Sequence, residues 1–252
     1  MKRAALLLLA PLLIGAADPR LVPDVSDQRI DIVYSFTGAQ LLLFGAILYP
    51  GGRAPTQAPD VAIVITGPSQ AVLLREKAKV AGIWMNRESA RFTGVPSFYA
   101  VATSRPIDRI LSPQTAAAFR IGIDNLHLAA TTRAAPPVQA RLEQGLIDLK
   151  RRSGLYLEQQ GAVSIREGVL YRATIPIPAR VPTGTYTART YLLADGRVIA
   201  RATRTVTIAK SGFERFVASA AQMRPALYGG TAVALSLLLG WLAAIAFGRF
   251  RR

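Results

Sequence analysis

The densest meeting of cationic, amide and aromatic side chains runs from Arg75-Glu-Lys77 through Gly82-Ile83-Trp84-Met-Asn86, continuing to Pro96-Ser-Phe98-Tyr99. Arg75 and Lys77 are two positions apart, so an extended strand turns both to one face. A guanidinium and an ammonium side by side, with the Trp84 indole as a flat wall and the Asn86 amide beside it, suit an anionic ligand or a partner loop. The plainer reading makes Trp84, Phe98 and Tyr99 core or rim aromatics with solvated charges as neighbours.

Reaction chemistry is hard to assemble from the remaining residues. The chain has no G-x-S-x-G elbow, no Walker loop, no dinucleotide-binding glycine pattern and no H-E-x-x-H. It has no cysteine and one histidine, His127, which excludes thiolate chemistry, disulfides and multi-histidine metal sites. His127 in Asn125-Leu-His-Leu128 reads as structural or superficial, and the acidic residues are too scattered to nominate a carboxylate pair. The expectation is a protein that is not an enzyme, with no cofactor and no metal.

The formal net charge is +16. Lysine occurs only at 2, 77, 79, 150 and 210, and arginine is spread along the whole chain. The densest cluster in the body, Lys150-Arg151-Arg152, lacks the aromatic interleaving of single-strand binders, so nucleic acid is not an expected partner. A solvated basic surface facing anionic lipid headgroups or envelope polymers fits better.

The elements that must position these groups are mostly strands. Arg29 to Phe36 alternates Ile30, Ile32, Tyr34 and Phe36 with polar residues, the period of a strand with one buried face. Gln40–Tyr49 ends at Pro50-Gly51-Gly52, and Val61–Thr66 is β-branched and stops at Gly67-Pro68. Further strands are predicted over Ala71–Lys79 and Ser97–Thr103. Ser112-Pro113 has the N-cap and first-turn chemistry of a helix over Gln114–Ile123. From Pro136 to about Gln160, Val138, Leu142, Leu146 and Leu149 recur at helical spacing, predicting one amphipathic helix or two broken near Ser153-Gly154 that pack on the domain. Strands return over Gly168–Pro178, Thr187–Leu193 and Arg197–Ile208, the last two joined by Asp195-Gly196, a hairpin signal. Pro182-Thr-Gly184-Thr-Tyr186 is similar to the tyrosine corner of immunoglobulin-like sandwiches. The predicted fold is mainly β: an immunoglobulin-like β-sandwich over 18–208 with a helical insertion near 106–160, two separate domains being the alternative.

Both ends are apolar. Met1-Lys2-Arg3, the run Ala4–Ile14 and Gly15-Ala16-Ala17 form a signal-peptide pattern over 1–17, with cleavage expected near Ala17. Residues 226–248 carry no charge and exceed the ~20 apolar residues that span a bilayer. Arg249, Arg251 and Arg252 in the tail 249–252 orient this span with its C-terminus in the cytoplasm and the bulk in the periplasm. A juxtamembrane segment, 209–225, gathers Phe213, Phe216, Val217, Ala220 and Met223 on one helical face, as an interfacial segment or a plain extension of the span. Within the span, Ala232, Ser236, Gly240 and Ala244 form a strip of small residues against which a second helix, self or foreign, could pack.

Together Ile30-x-Ile32-x-x-x-Phe36-x-Gly38, Leu43-Phe44-Gly45-Ala46, Gly67-Pro68, Arg75-x-Lys77, Gly82-Ile83-Trp84-x-Asn86, Pro96-x-Phe98-Tyr99 and Pro182-x-Gly184-x-Tyr186 resemble a putative transmembrane protein family of alphaproteobacteria. Leu227-Tyr228-Gly229 and Gly240-Trp241-Leu242 extend the resemblance to nearly the whole mature chain. It implies a signal peptide, an exported domain and one C-terminal helix in a Gram-negative envelope, and no activity. Two functions are compatible with these residues. One is a membrane-anchored periplasmic interaction or accessory protein that contacts lipid and docks on a membrane protein such as a transporter, or on itself. The other is a periplasmic domain that binds or senses a small anion through Arg75, Lys77, Trp84 and Asn86.

Overall fold

The computed structural model describes residues 19–32, 38–52, 54–55, 59–131, 135–210 and 221–249. The signal pattern 1–17, the end of the first predicted strand at 33–36, the juxtamembrane positions Phe213, Phe216, Val217 and Ala220, and residues 250–252 lie outside them.

The strands, in chain order, are β1 (Arg20–Val25), β2 (Arg29–Ile32), β3 (Gly38–Leu48), β4 (Asp60–Thr66), β5 (Ser69–Val80), β6 (Ile83–Pro96), β7 (Tyr99–Thr103), β8 (Ala129–Thr131), β9 (Tyr156–Gln159), β10 (Val163–Arg166), β11 (Leu170–Pro178), β12 (Gly184–Ala194) and β13 (Arg197–Lys210). Helices among the described residues are α1 (Ile107–Ile110), α2 (Pro113–Phe119), α3 (Pro136–Arg152) and α4 (Pro225–Arg249). The protein is mainly β, with three sheets, one of them curled into a half-barrel. Their strand orders are β1-β3-β11-β10, β2-β13-β12-β4-β7-β9 and β5-β6-β8. The pairings are antiparallel except β2 with β13 and β7 with β9.

Alternation along the strands sets the layers. In β11, Tyr171, Ala173, Ile175 and Ile177 point inward while their neighbours face solvent. They join Leu21, Leu41, Leu43 and Ile47 of the first sheet and Ile63, Ile65, Leu192, Val206 and Ile208 of the second in one shared core. The opposite face of the second sheet, with Ala62, Val64, Val101 and Leu193, is covered by Ile110, Ala116, Ile121 and Ile123 of the insertion. Strand β4 is therefore buried on both faces, which is why Val61–Ile65 is continuously apolar rather than alternating.

A tight turn and a corner bond fix the two ends of β12. Asp195 and Gly196, at φ 50° and 73°, turn β12 into β13, as the Asp-Gly pair predicts. The Tyr186 hydroxyl donates to the Pro182 carbonyl at 2.6 Å and its ring lies 6.0 Å from Phe98, fixing the entry to β12.

The insertion differs from expectation in two ways. Ser112 caps α2, accepting from the Thr115 amide at 3.2 Å, but α2 ends at Phe119 because Arg120 turns left-handed at φ 53°. Helix α3 breaks at Ser153–Gly154 as expected, yet the chain beyond it forms β9, parallel to β7, not a second helix. The segment 106–160 is thus helical with two strands, β8 and β9. Of the predicted α3 stripe, Leu142 and Leu146 pack with Ala90, Phe92 and Val95 on the third sheet, while Leu149 is exposed. The strand β6 was not expected at all; it completes a hairpin with β5.

Helix α4 includes a stretch, Pro225–Ala244, of mean hydropathy 1.6 with none of it buried. It is long and apolar enough to cross a membrane.

Candidate functional site

The four residues singled out for an anion or partner site all lie on the β5–β6 hairpin. A two-residue turn at Ala81 and Gly82, both left-handed at φ 47° and 88°, joins Val80 to Ile83. In the ladder Lys77 faces Asn86, Lys79 faces Trp84 and Arg75 faces Ser89. Directly opposed residues project to the same side of an antiparallel pair. Arg75, Lys77, Lys79, Trp84 and Asn86 therefore share one face, and all five are exposed. The structure brings Lys77 to Asn86 as a direct pair, and places Trp84 against Lys79 rather than against Arg75. Phe98 and Tyr99 belong elsewhere: both are buried in the body, where the Tyr99 hydroxyl donates to the Arg120 carbonyl at 2.6 Å.

The other face of the hairpin changes character along its length. At the base, Val72, Leu74, Ala90 and Phe92 pack on α3 through Leu142 and Leu146. Next, Glu76 accepts from Arg141 of α3 at 2.8 Å. Beyond that ion pair Val80, Ile83 and Met85 stand exposed. Sequence reasoning missed these three, together with Lys79 and Arg87, although the apolar run Ile83-Trp84-Met85 set between cations was visible as a signal.

A second exposed apolar surface lies on the outer side of the first sheet. Ala46 is flanked in register by Val22 and Leu170, and Phe44 by Asp24 and Arg172. Val22, Phe44, Leu48 and Leu170 are all exposed there. Val22, Phe44, Ala46 and Leu170 line a shallow hollow of about 440 Å³ with Arg166 and Arg172 at its rim.

The polar groups elsewhere serve structure. Asp60 accepts from the Ser104 hydroxyl and from Nε and Nη2 of Arg105; burial works to raise its pKa, but these donors prevail and hold it below the usual carboxylate range. Burial pushes the phenols of Tyr99, Tyr156, Tyr171, Tyr186 and Tyr191 upward, and those of Tyr99, Tyr156 and Tyr186 donate to backbone carbonyls. His127 is exposed beside α3. Among the described residues, no group of three or more His, Cys, Asp or Glu is placed to hold a metal ion.

On α4, Ala232, Ser236, Gly240 and Ala244 fall at four-residue intervals and all are exposed. The Ser236 hydroxyl donates to the Ala232 carbonyl at 2.9 Å, and Thr231 donates to the Leu227 carbonyl at 2.9 Å. Both hydroxyls are thereby satisfied inside the helix, which a lipid environment demands.

Neither the curated proteins nor the solved structures contain a match to this chain. A family model does match, over residues 20–249, and its description is putative transmembrane protein (Alph_Pro_TM). The chain belongs to that family.

Proposed function

We propose that this member of the transmembrane family is a membrane-anchored periplasmic interaction or accessory protein. In this reading α4 crosses the inner membrane once, the body lies in the periplasm, and the arginine tail is cytoplasmic. The body is read as an immunoglobulin-like sandwich. What supports that is the strand order: β1-β3-β11-β10 matches the A-B-E-D sheet, and β13-β12-β4-β7 follows G-F-C-C′, with Tyr186 at the corner before the F-equivalent strand.

The observation that carries the functional reading is the apolar patch of Val22, Phe44, Leu48 and Leu170 on the outer face of the first sheet. A monomeric soluble surface seldom gathers such residues contiguously, and a polar rim around them marks docking surfaces. The occupant is an inner-membrane protein, such as a transporter, whose own helix packs on the strip at Ala232, Ser236, Gly240 and Ala244. Photo-crosslinking tests this. With a benzophenone amino acid at position 44 of the full chain in native membranes, a discrete protein adduct is expected. Leu170→Asp and Gly240→Leu should each weaken it, and position 160 should not give it. Equal labelling from positions 44 and 160 would remove the proposal.

The small-anion reading is favoured by one observation, the pairing of Lys77 with Asn86 beneath Arg75. On so open a face the anion stays hydrated and is held weakly. Calorimetry against sulfite, sulfate, phosphate and carboxylates, with an Arg75→Ala, Lys77→Ala double variant as control, separates the two readings.

A further inference from the structure

We propose that the tip of the β5–β6 hairpin is a lipid-binding finger, with Val80, Ile83, Trp84 and Met85 entering the boundary of an anionic bilayer and Lys77, Lys79 and Arg87 meeting its phosphates. This goes beyond docking on a protein and uses a different surface.

The residues are graded along the hairpin in the order a membrane surface is graded with depth. The turn and its neighbours, Val80 to Met85, carry only apolar or glycine side chains. Ile83 is 71% exposed and Trp84 67%, values that a monomeric body has no reason to present to water. One to three residues behind them stand Lys77, Lys79 and Arg87, with Arg75 further back on the Lys77 face. At ~3.3 Å per residue Lys79 sits about 7 Å behind the turn, and Lys77 and Arg87 about 13–16 Å behind it. Interfacial segments bury their apolar side about 5–10 Å deep, which puts Lys79 at that boundary and Lys77 and Arg87 just outside it. Long lysine and arginine side chains then reach the phosphate level from just above it. Trp84, amphipathic and close to the tip, has the side chain most enriched at that boundary.

Charge selects the lipid. No acidic residue occurs from Lys77 to Arg87. The flanking carboxylates, Glu76 and Glu88, face each other in the ladder behind the cations, and Glu76 is bonded to Arg141. The finger is therefore uniformly cationic on a chain of net charge +16, complementary to an anionic headgroup surface. A bilayer is also the surface always within reach. The body ends at Lys210 and the span begins at Pro225, and at ~3.5 Å per residue even an extended connection covers only about 50 Å.

The experiment uses the full chain, whose lack of cysteine allows a single reporter thiol. Ile83→Cys is labelled with the environment-sensitive dye NBD and the protein is reconstituted into nanodiscs of phosphatidylethanolamine and phosphatidylglycerol. The expected result is a blue-shifted emission, quenched at least two-fold more by doxyl-labelled lipid than the same dye at Gln160→Cys. The difference should collapse when phosphatidylcholine replaces the anionic lipid, at high salt, and in a Lys77→Glu, Lys79→Glu variant. Solvent-like emission at position 83 in anionic discs overturns the proposal. So does quenching indifferent to lipid charge and to the glutamate variant. A shift seen in native membranes but not in pure lipid also overturns it, and assigns the tip to a protein. Because the discs contain no protein besides their scaffold, failure here leaves the crosslinking test at position 44 untouched, and the reverse holds too.

Discussion

Tyr171 stands directly across the β3–β11 ladder from Gly45, and its hydroxyl lies 2.5 Å from where a Cβ on Gly45 would be. The ring lies over the glycine and fills the place of the missing side chain between the sheets. The Val22 carbonyl is 2.4 Å from the same point. That atom is backbone in a paired strand and has no room to withdraw. Gly45→Ala is therefore expected to destabilise the body by about 2–3 kcal/mol, visible as a lower thermal midpoint in circular dichroism. An unchanged midpoint would mean that the two sheets can part without cost.

Removing the corner bond should cost less. Tyr186→Phe keeps the ring against Phe98 and deletes only the donor to the Pro182 carbonyl. A net loss of about 1 kcal/mol is expected, measurable as a shift in the denaturant midpoint with the slope unchanged. A change in slope would instead report a looser native state.

Stability should fall on the alkaline side. Burial pushes the Tyr171 phenol up to about 12, the Thr190 hydroxyl pulling part of that back, and the phenols of Tyr99 and Tyr156 are raised further. In the unfolded chain these groups release their protons near pH 10. Between there and the folded-state values the folded protein binds more protons, so stability drops with rising pH. The contribution is fully present below about pH 10, and a denaturant series from pH 8 to 12 should show the decline beginning there. A flat series would contradict the buried, neutral phenols.

The hairpin should loosen without the body. Gly82 sits at φ 88° with open space around its missing side chain. Gly82→Val therefore introduces backbone strain and no clash. Hydrogen exchange is expected to quicken in the outer part of β5 and β6 and to stay unchanged in β4, β12 and β13. Equal quickening throughout would show that the hairpin is coupled to the core.

What the sequence disclosed was what local chemistry decides. The Asp195-Gly196 turn, the Ser112 cap and the Tyr186 corner each rest on residues within four positions of one another, and each is present. The strand β6 was hidden because its outer half is exposed on both faces, so no alternation marks it. A register shift between Glu76 and Lys77 breaks the pattern further. The strand β9 was read as helix because its identity is set by pairing with β7, a partner remote in sequence. For the candidate site, alternation was enough to put Arg75 and Lys77 on one face. That Lys77 meets Asn86 depends on the register of a hairpin not foreseen, and that Ile83 and Met85 face solvent depends on where α3 stops covering the sheet.

The pairing of β2 with β13 joins Arg29 to Thr207, so strands from nearly opposite ends of the body lie side by side. Strand β3 likewise waits for β11, and β4 for β12. Such long closures are slow and leave edges open until the last partner arrives. The closing strand, β13, is also the described strand nearest the span in the chain. Synthesis therefore delivers the seal of the domain and the long apolar helix α4 almost together, and the half-made sheets must be kept from other chains until then.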